Sequence, residues 1–460
     1  MMTRVHRRSG YPMTRRAIAA CLVFLVSVGT FYLLWMQEYR KIEVVNRLPD
    51  SPPRPPSPVP SVGISNALFP VLDQKLESWV SHNQRTLRSL FQCLTGPTAG
   101  CGQNQTKVVI LGSYHFVNVL QGHVSGEDIW ARSTVQALKN MGYTYLYGYN
   151  GEKNMDRTIQ LYQMFPDLVK AILVEDPVAY WCFSEGECVR SDYNPNGLPI
   201  WKIFSFSFWV QAAHPLGHDW TLSPEDYHKE HSYYVSNNYL GYSVEPGCLT
   251  RPFIPHELRI SPPKVYVMGK EMEYFTPRLR AWGPDFYDDA AKATGAEFMA
   301  GAVGDEPPDF PKSVEKVGML PQNQFYETLA ETALLIGIGL PWTSPTPYDA
   351  LCLGVPFLNP ILDWDRKDPM NRDKWIAQQG TLKDLDPPYV YNVFKGDKEG
   401  FMKAVEGAIA HPIQRYILDR MRMGAVEQRL SGIIEKDWKT AAIVLLKERR
   451  KSGEQPLFAV

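Results

Sequence analysis

The sequence lacks the residue spacings that hold metal ions and the charge excess that attracts nucleic acids. It contains no CxxC and no HExxH, which argues against the common zinc sites. Its 48 lysines and arginines nearly balance 49 aspartates and glutamates, so a nucleic-acid partner is not expected. Internal repeats are not visible either. What the chain has is length, since 460 residues, 44% of them hydrophobic, are enough for two domains with large cores.

Cysteine is scarce. Cys21 lies in an N-terminal apolar run, and the other six fall into two close pairs and one distant pair: Cys93 with Cys101, Cys182 with Cys188, and Cys248 with Cys352. In an oxidising compartment the close pairs predict two local disulfides. The distant pair has an alternative, because Cys352 lies in an apolar helical segment and could be a free thiol. The sequon Asn104-Gln105-Thr106 also favours a luminal location.

The N-terminus predicts a membrane anchor. Residues 1–16 carry five arginines and no acidic residue, and Ala17–Met36 follows as 20 residues without a charge. That run is long enough to cross a bilayer, and the arginines favour a cytosolic tail of residues 1–16 with the body in the lumen. The alternative, a cleaved signal peptide, has a shorter apolar core and a small-residue cleavage site, and no such site is evident.

A spacer and a cap are expected next. Pro49–Pro60 reads PDSPPRPPSPVP, which is too rich in proline for a helix or a sheet. Ala67–Cys93 has apolar residues at helical spacing and predicts the end of the stem or an N-terminal cap. We therefore assign residues 37–104 to a proline-rich stem and cap.

From Lys107 onward, short apolar runs alternate with amphipathic helical patterns, which predicts an α/β fold with parallel sheets. Lys107–Gly112 is the first buried strand of this series. The proline-rich segment Leu249–Pro263 interrupts the alternation and marks the best internal boundary, after which Lys264–Gly269 begins a second series. The sequence thus predicts two βα domains, at residues 105–255 and 256–460.

The stretch from Leu334 to Ile361 is the strongest candidate for a ligand site. It predicts a buried strand at Leu334–Ile338, a proline-rich loop, a short helix at Asp349–Leu353 and a second strand at Val355–Leu358. A ligand can bind where the loop leaves the carboxyl end of the first strand, and a phosphate can meet the helix N-terminus. Asp349 could bind a ribose, although an aspartate in a first helical turn is also explained by the helix dipole.

The run from Val317 to Ile361 resembles the donor-binding half of glycosyltransferase family 18, the N-acetylglucosaminyltransferase V enzymes. The shared residues are those of the proline-rich loop, the helix and the following strand: Pro341, Trp342, Pro345, Pro347, Ala350 and Phe357–Pro360. Thr343 and Asp349 each stand where the family has a glutamate. The resemblance covers roughly Lys107–Trp438.

The resemblance implies a GT-B fold, in which two Rossmann-like domains face a cleft, with an N-terminal transmembrane anchor in the Golgi. It implies inverting transfer of GlcNAc from UDP-GlcNAc to a mannose 6-hydroxyl of N-glycans, without a metal or cofactor. The donor would contact one set of side chains and backbone groups: Gly339, Pro341, Trp342, Thr343, Ser344, Thr346, Asp349 and Gln379. Trp342 could stack on uracil or sugar, or pack in the core.

Gln379 is the largest departure from the family, which has a lysine there. The resemblance places that lysine near the donor, where a cation stabilises the leaving diphosphate. Lys374 or Arg372 could supply the missing charge, or both could be ordinary surface residues. We therefore keep two rival functions open, a transferase with another sugar or acceptor, and an inactive scaffold of the secretory pathway.

The catalytic base implied by the resemblance is Glu127, at the end of the Gly122–Glu127 loop. Gly122, Gly126 and Glu127 match the family pattern there, whereas the position alone is typical of a glutamate that matches a helix dipole. His123 could assist proton transfer or remain a solvated loop residue. The residues Asn237, Asn238 and Tyr239 could line the acceptor cleft, with a structural role in a turn as the alternative.

Two weaker patterns suggest metals. His214, His218, His228 and His231 lie near acidic residues, but Pro215 and Gly217 argue against a shared helix face, so a metal site is not expected. Asp363-Trp364-Asp365 is a DxD sequence, a pattern that holds a metal–diphosphate in many other glycosyltransferases. So short a pattern recurs by chance, and a solvated turn after the strand is the preferred interpretation.

Overall fold

The computed structural model describes residues 78–96, 100–123, 125–184, 188–230, 235–259 and 261–453. The predicted membrane segment at residues 17–36 and the proline-rich spacer lie outside this part of the chain. Among the residues that are described, none of the helices is long and apolar enough to cross a membrane.

The first sheet is fully parallel. Within the described residues its six strands are β1 (Val108–Leu111), β2 (Thr144–Tyr147), β3 (Val169–Glu175), β4 (Ile203–Phe206), β5 (Thr221–Ser223) and β6 (Asn238–Tyr239). They are ordered β2-β1-β3-β4-β5-β6. Strand β1 has a hydrogen-bonded strand on each side, and all four of its residues are buried. Burial on both faces of the sheet explains its unbroken apolar run.

Helices cover this sheet and connect its strands. In chain order they are α1 (Trp79–Thr95), α2 (Tyr114–Leu120), α3 (Ile129–Asn140), α4 (Asp156–Met164), α5 (Asp176–Ser184), α6 (Tyr227–Glu230) and α7 (Glu245–Cys248). Helix α3 buries Trp130 and Leu138 and leaves Asn140 exposed, so its amphipathic pattern follows from packing on one side only.

The second sheet is parallel apart from one short strand. Its strands are β7 (Lys264–Met268), β8 (Glu297–Ala300), β9 (Val314–Lys316), β10 (Leu334–Gly337), β11 (Phe357–Asp363), β12 (Ile376–Ala377) and β13 (Val390–Phe394). The order is β12-β11-β10-β7-β8-β9, and β13 also pairs with β11. Only β12 runs antiparallel to its neighbour among these strands.

The helices of the second half are α8 (Pro284–Thr294), α9 (Gln322–Ala330), α10 (Thr346–Cys352), α11 (Lys398–Ala410), α12 (Met423–Glu435) and α13 (Trp438–Lys451). The sequence pattern predicts long helical structure over Ile413–Arg450. The structure has two helices there, α12 and α13, because the chain turns at Lys436 and Asp437 caps α13 by accepting a hydrogen bond from Thr440. Helix α13 returns to the first sheet, where the Trp438 ring lies 5.0 Å from that of Phe204.

Three disulfides confirm the predicted pairings, Cys93 with Cys101, Cys182 with Cys188, and Cys248 with Cys352. The alternative of a free Cys352 is wrong. Its bond to Cys248 joins α10 to α7 across 104 positions of sequence, so it ties the helix after the proline-rich loop to the end of the first βα series.

Candidate active site

The strand orders place one crevice in each sheet. In the first sheet β2 lies on one side of β1 and β3 lies on the other, so the strand order reverses at β1. In the second sheet β8 lies on one side of β7 and β10 lies on the other, so the order reverses at β7. Loops diverge at the carboxyl ends of such strand pairs and leave room for a ligand. The crevices therefore lie at β1 and β3, and at β7 and β10.

Polar side chains are buried at the first crevice. His115 follows β1, Glu175 ends β3, and Asp128 precedes α3, with 2%, 4% and 2% of their surfaces exposed. His115 Nδ1 lies 2.6 Å from Asp128 Oδ1, and His115 Nε2 lies 3.5 Å from Glu175 Oε2. The imidazole thus lies between two carboxyl groups.

The pKa values of the two carboxyl groups are shifted in opposite directions. Burial raises the pKa of Glu175 to about 7, although the charge of His115 opposes the shift. Burial also acts to raise the pKa of Asp128, but hydrogen bonds from His115, Ser125 and Asn118 outweigh it and hold that pKa below its usual value. Asp128 is therefore ionised at neutral pH, whereas Glu175 is partly protonated.

Glu127 is exposed beside this buried cluster. It stands in a turn from Ser125 to Asp128, whose ends are joined because the Asp128 amide donates to the Ser125 carbonyl at 3.1 Å. Its negative charge contributes, after burial and Glu175, to raising the pKa of Tyr114 to about 12. His123, also exposed, lies in the loop before the turn.

The second crevice is formed by the loop after β10. Gly339 has φ of +115°, and a Cβ at this position would lie 2.8 Å from the Leu279 carbonyl, so only glycine fits. The buried Gln378 holds this loop, since its Oε1 accepts from the Gly339 amide at 2.8 Å and its Nε2 donates to the Pro341 carbonyl at 3.1 Å. Sequence reasoning did not identify Gln378.

The predicted donor loop covers residues 339–346, and beyond Gly339 its residues are partly or fully exposed to solvent. Trp342 is 58% exposed, so it does not pack in the core. Thr343 has φ of +53°, a strained conformation for a β-branched residue, and its amide donates to the Gln378 carbonyl. Ser344 Oγ accepts from the Thr346 amide at the start of α10.

The two crevices meet at Gly126 and Pro345. A Cβ built on Gly126 would lie 3.4 Å from Pro345 Cγ, so the tip of the Ser125–Asp128 turn lies close to the donor loop. Gly126 is the residue directly before Glu127. The structure therefore brings the predicted base next to the predicted donor loop, although the two are more than 200 positions apart in the sequence.

A buried network lies behind the donor loop. Tyr348 of α10 donates to Glu225 at 2.9 Å, and its hydroxyl lies 2.5 Å from that of Thr381. Gln379 is fully buried here, with its Nε2 donating to the Tyr348 hydroxyl at 3.2 Å. Arg420 donates to the Thr381 carbonyl at 2.9 Å, so a guanidinium lies close to the position of the family's lysine.

Asp349 also points into the protein. It is 4% exposed, and burial raises its pKa to about 7, opposed by the charge of Arg132 and a hydrogen bond from Tyr326. Its Oδ1 has no hydrogen-bond partner among the described residues. A ribose contact by Asp349 stays a prediction.

The predicted acceptor residues support neighbouring loops. Asn237 is buried, with its Nδ2 donating to the Trp209 carbonyl at 2.9 Å, and Asn238 donates to the Asp219 carbonyl at 3.0 Å. The Arg429 guanidinium lies 4.4 Å from the centre of the Tyr239 ring. Their contact with an acceptor stays a prediction.

The two alternative cations, Arg372 and Lys374, and the acidic residues of the DxD sequence lie at the protein surface. Arg372 pairs with Asp386 at the surface, and Lys374 is exposed nearby. Asp363 ends β11 with its carboxylate 3.5 Å from Arg366. In the part of the chain that the structure describes, no group of three or more potential ligands could hold a metal ion.

Sequence reasoning also missed His115, Glu175, Glu225 and Tyr348. A signal existed for the first two, because each follows an apolar strand, in ILGSYH and LVED, where parallel strands place ligand-binding residues. No local pattern marks Glu225 or Tyr348.

Residues 214–442 match the family model described as glycosyltransferase family 18. The alpha-1,6-mannosylglycoprotein 6-beta-N-acetylglucosaminyltransferase A of Rattus norvegicus is 25% identical over 228 residues, which are 47% of this chain and 30% of that protein. The B enzyme of Homo sapiens is 24% identical over 138 residues, 28% of this chain and 17% of that protein. The matched region thus spans less than a third of the length of these relatives.

Among solved structures, an O-GlcNAc transferase mutant of Thermobaculum terrenum aligns with a TM-score of 0.38 and 11% sequence identity. The alignment covers 85% of this chain and 76% of that one.

Proposed function

Because residues 214–442 form a glycosyltransferase family 18 domain, we propose that this protein transfers GlcNAc from UDP-GlcNAc to the 6-hydroxyl of an α-mannose on N-glycans. The proposed fold is GT-B, with residues 105–255 as the acceptor-side domain and residues 256–460 as the nucleotide-sugar domain. Two parallel sheets, each with a crevice at the carboxyl ends of its central strands, support this assignment.

The observation that carries the proposal is the close approach of Gly126 to Pro345. An inverting transfer needs a base on the acceptor side and the donor on the opposite side, with both close to the anomeric carbon. This approach places the turn that holds Glu127 beside the loop that would hold the diphosphate. Glu127 is exposed, so an incoming hydroxyl can reach it.

In the proposed reaction the mannose O6 attacks the anomeric carbon of GlcNAc. The bond from that carbon to the diphosphate breaks, UDP leaves with the electron pair, and Glu127 takes the proton of the attacking hydroxyl. Backbone groups from Gly339 to Thr346 would contact the diphosphate, Trp342 would contact the uracil or sugar, and Asp349 would contact the ribose. Arg420 would supply positive charge behind the loop, where the family has a lysine.

We further propose that the protein acts in the Golgi lumen, held by a single membrane anchor at residues 17–36. Three disulfides support a secretory-pathway location, because such bonds persist in oxidising compartments. Glycoproteins carrying N-glycans would be its macromolecular partners.

A specific observation favours one alternative, a transferase with a different donor sugar or acceptor. Gln379 is fully buried and engaged with Tyr348, and Asp349 faces Tyr326, so neither side chain faces the open loop as the family pattern implies. A pocket altered at these positions could select another nucleotide sugar. An inactive scaffold would turn over none.

A donor panel tests the proposal. The full-length protein is incubated with a biantennary N-glycan, a chelator and one nucleotide sugar at a time, and release of nucleoside diphosphate is measured. We expect turnover that requires the acceptor and that occurs with UDP-GlcNAc but with no other nucleotide sugar of the panel. Turnover with another sugar would favour the alternative donor, and no turnover by the folded protein would favour the scaffold.

A further inference from the structure

Asp128 closes the turn that carries Glu127 by two hydrogen bonds to Ser125. The amide of Asp128 donates to the Ser125 carbonyl at 3.1 Å, and the amide of Ser125 donates back to Asp128 Oδ2 at 2.7 Å. Gly126 and Glu127 are left as the central residues of the turn. The Asp128 carboxylate therefore helps to close the turn on which Glu127 stands.

Asp128 is itself fixed from inside the protein. Its Oδ1 accepts hydrogen bonds from His115 Nδ1 at 2.6 Å and from Asn118 at 3.2 Å. The His115 ring is enclosed between aromatic rings, with Trp130 at 5.8 Å and Phe208 at 6.0 Å. Because Asp128 and His115 are each 2% exposed, this support is shielded from water and rigid.

We propose that Asp128 is a positioning residue for glycosyl transfer, and that its hydrogen bonds to Ser125 and His115 hold the turn of Glu127 in place beside Pro345. This inference rests on the proposed function, in which Glu127 is the base. A base must lie within hydrogen-bonding reach of the attacking hydroxyl, and a displacement of about 1 Å costs roughly a hundredfold in rate. Asp128, which is buried, would set that geometry without touching the substrate.

The substitution Asp128→Asn tests the role of the carboxylate. Asparagine has a single acceptor oxygen, so its NH₂ must face either the Ser125 amide or the side chains of His115 and Asn118, and at least one of the hydrogen bonds to the carboxylate is lost. We expect kcat to fall on the order of 30- to 100-fold, with KM for UDP-GlcNAc within about twofold of the original value. A kcat within twofold of the unsubstituted protein would overturn the inference.

Glu152→Gln is the matched control. Glu152 is exposed, and its charge, like that of Asp128, raises the pKa of Tyr114. The hydrogen bonds that close the turn do not involve Glu152. Its removal should leave kcat unchanged within about twofold. A fall as large as that of Asp128→Asn would show that local charge matters rather than position, and would overturn the inference.

A pair of variants at His115 separates positioning from packing. In His115→Asn the amide nitrogen can take the place of Nδ1 and still donate to Asp128, whereas His115→Ala keeps no donor. Both remove the ring from between Trp130 and Phe208. We expect kcat of the asparagine variant to exceed that of the alanine variant about tenfold. Equal losses would mean that only the packing of the ring matters, and would overturn the inference.

Amide hydrogen exchange of residues 121–129 gives a readout that does not depend on transfer. The Ser125 amide should be protected in the unsubstituted protein and in His115→Asn, and should exchange faster in Asp128→Asn and His115→Ala. Unchanged exchange in Asp128→Asn would overturn the inference even if transfer is confirmed. Absence of transfer by the unsubstituted protein would instead overturn the proposed function, and the exchange data would still report whether Asp128 holds the turn.

Discussion

The hydroxyl of Tyr348 lies 2.9 Å from a carboxylate oxygen of Glu225, and this hydrogen bond joins the helix after the donor loop to the segment that follows β5 of the first sheet. The same hydroxyl meets Thr381 and Gln379, so one atom holds segments from both sheets. Because all four residues are buried, the loss of one removes a hydrogen bond from its neighbours in the interior, where water does not replace it.

Tyr348→Phe is therefore expected to destabilise the fold. Removing the hydroxyl leaves Glu225 and Gln379 each short of one hydrogen bond, which costs about 1–3 kcal/mol in the free energy of unfolding. Chemical denaturation measures this cost. Tyr180→Phe, at a residue that is 77% exposed, is the control and should change nothing. Equal denaturation midpoints for the two variants would contradict the network.

Stability should fall as the pH rises from about 5 to about 8. Burial raises the pKa of Glu175, Glu225 and Asp349 to about 7, from ordinary values of 4.5, 4.5 and 3.8. Between the ordinary and raised values the folded state binds more protons than the unfolded state, so protonation stabilises the fold and this contribution is lost as the pH passes 7. Thermal unfolding across this range measures the effect.

Glu225→Gln isolates one of these three groups. Glutamine keeps the shape and does not titrate, so the slope of stability against pH should become shallower while the other two carboxyls still contribute. Glu152→Gln, at an exposed carboxyl, should leave the slope unchanged. A steeper slope in Glu225→Gln would show that the sign assigned to this group is incorrect.

Thr343→Asn should stabilise the protein. A β-branched residue at φ of +53° is strained, whereas asparagine adopts this conformation more readily, so a gain of about 0.5–1 kcal/mol is expected. Thr343→Val removes the same hydroxyl but keeps the branched carbon, and should give no gain. Denaturant midpoints compare the two, and an equal gain from valine would show that backbone strain is not the cause.

The Cys248–Cys352 disulfide should contribute more to the free energy of unfolding than the local disulfides do. It closes a loop of 104 positions, for which chain entropy gives about 5 kcal/mol, against about 2–3 kcal/mol for the 8-position loop of Cys93 and Cys101. Paired serine substitutions at each bridge, compared by denaturation without reductant, test this order. A larger loss at the local bridge would contradict it.

Much of the fold was predictable because buried parallel strands leave a simple pattern. The apolar runs at Lys107–Gly112 and Leu334–Ile338 predicted β1 and β10 within one residue at each end, and the alternation with helices predicted parallel sheets. The break between α12 and α13 was missed because both helices have apolar residues at helical spacing, and only the turn at Lys436 separates them.

The site was less predictable because it depends on contacts between distant segments. Glu127 could be named only through a family resemblance, since a glutamate at a helix start is common. Tyr348 and Glu225 are 123 positions apart, and neither stands in a pattern that indicates a partner. Gln379 belongs to a recognisable motif, yet its burial follows from packing that the sequence does not show.

The central claim is that Glu127 is the base of an inverting GlcNAc transfer. Glu127→Gln keeps the size and polarity of the side chain but cannot take a proton, so product formation from UDP-GlcNAc and a biantennary N-glycan should be abolished, at least a thousandfold below the original rate. UDP binding, measured by calorimetry on the same samples, should stay nearly unchanged. Full transfer by this variant, or loss of UDP binding together with transfer, would contradict the account.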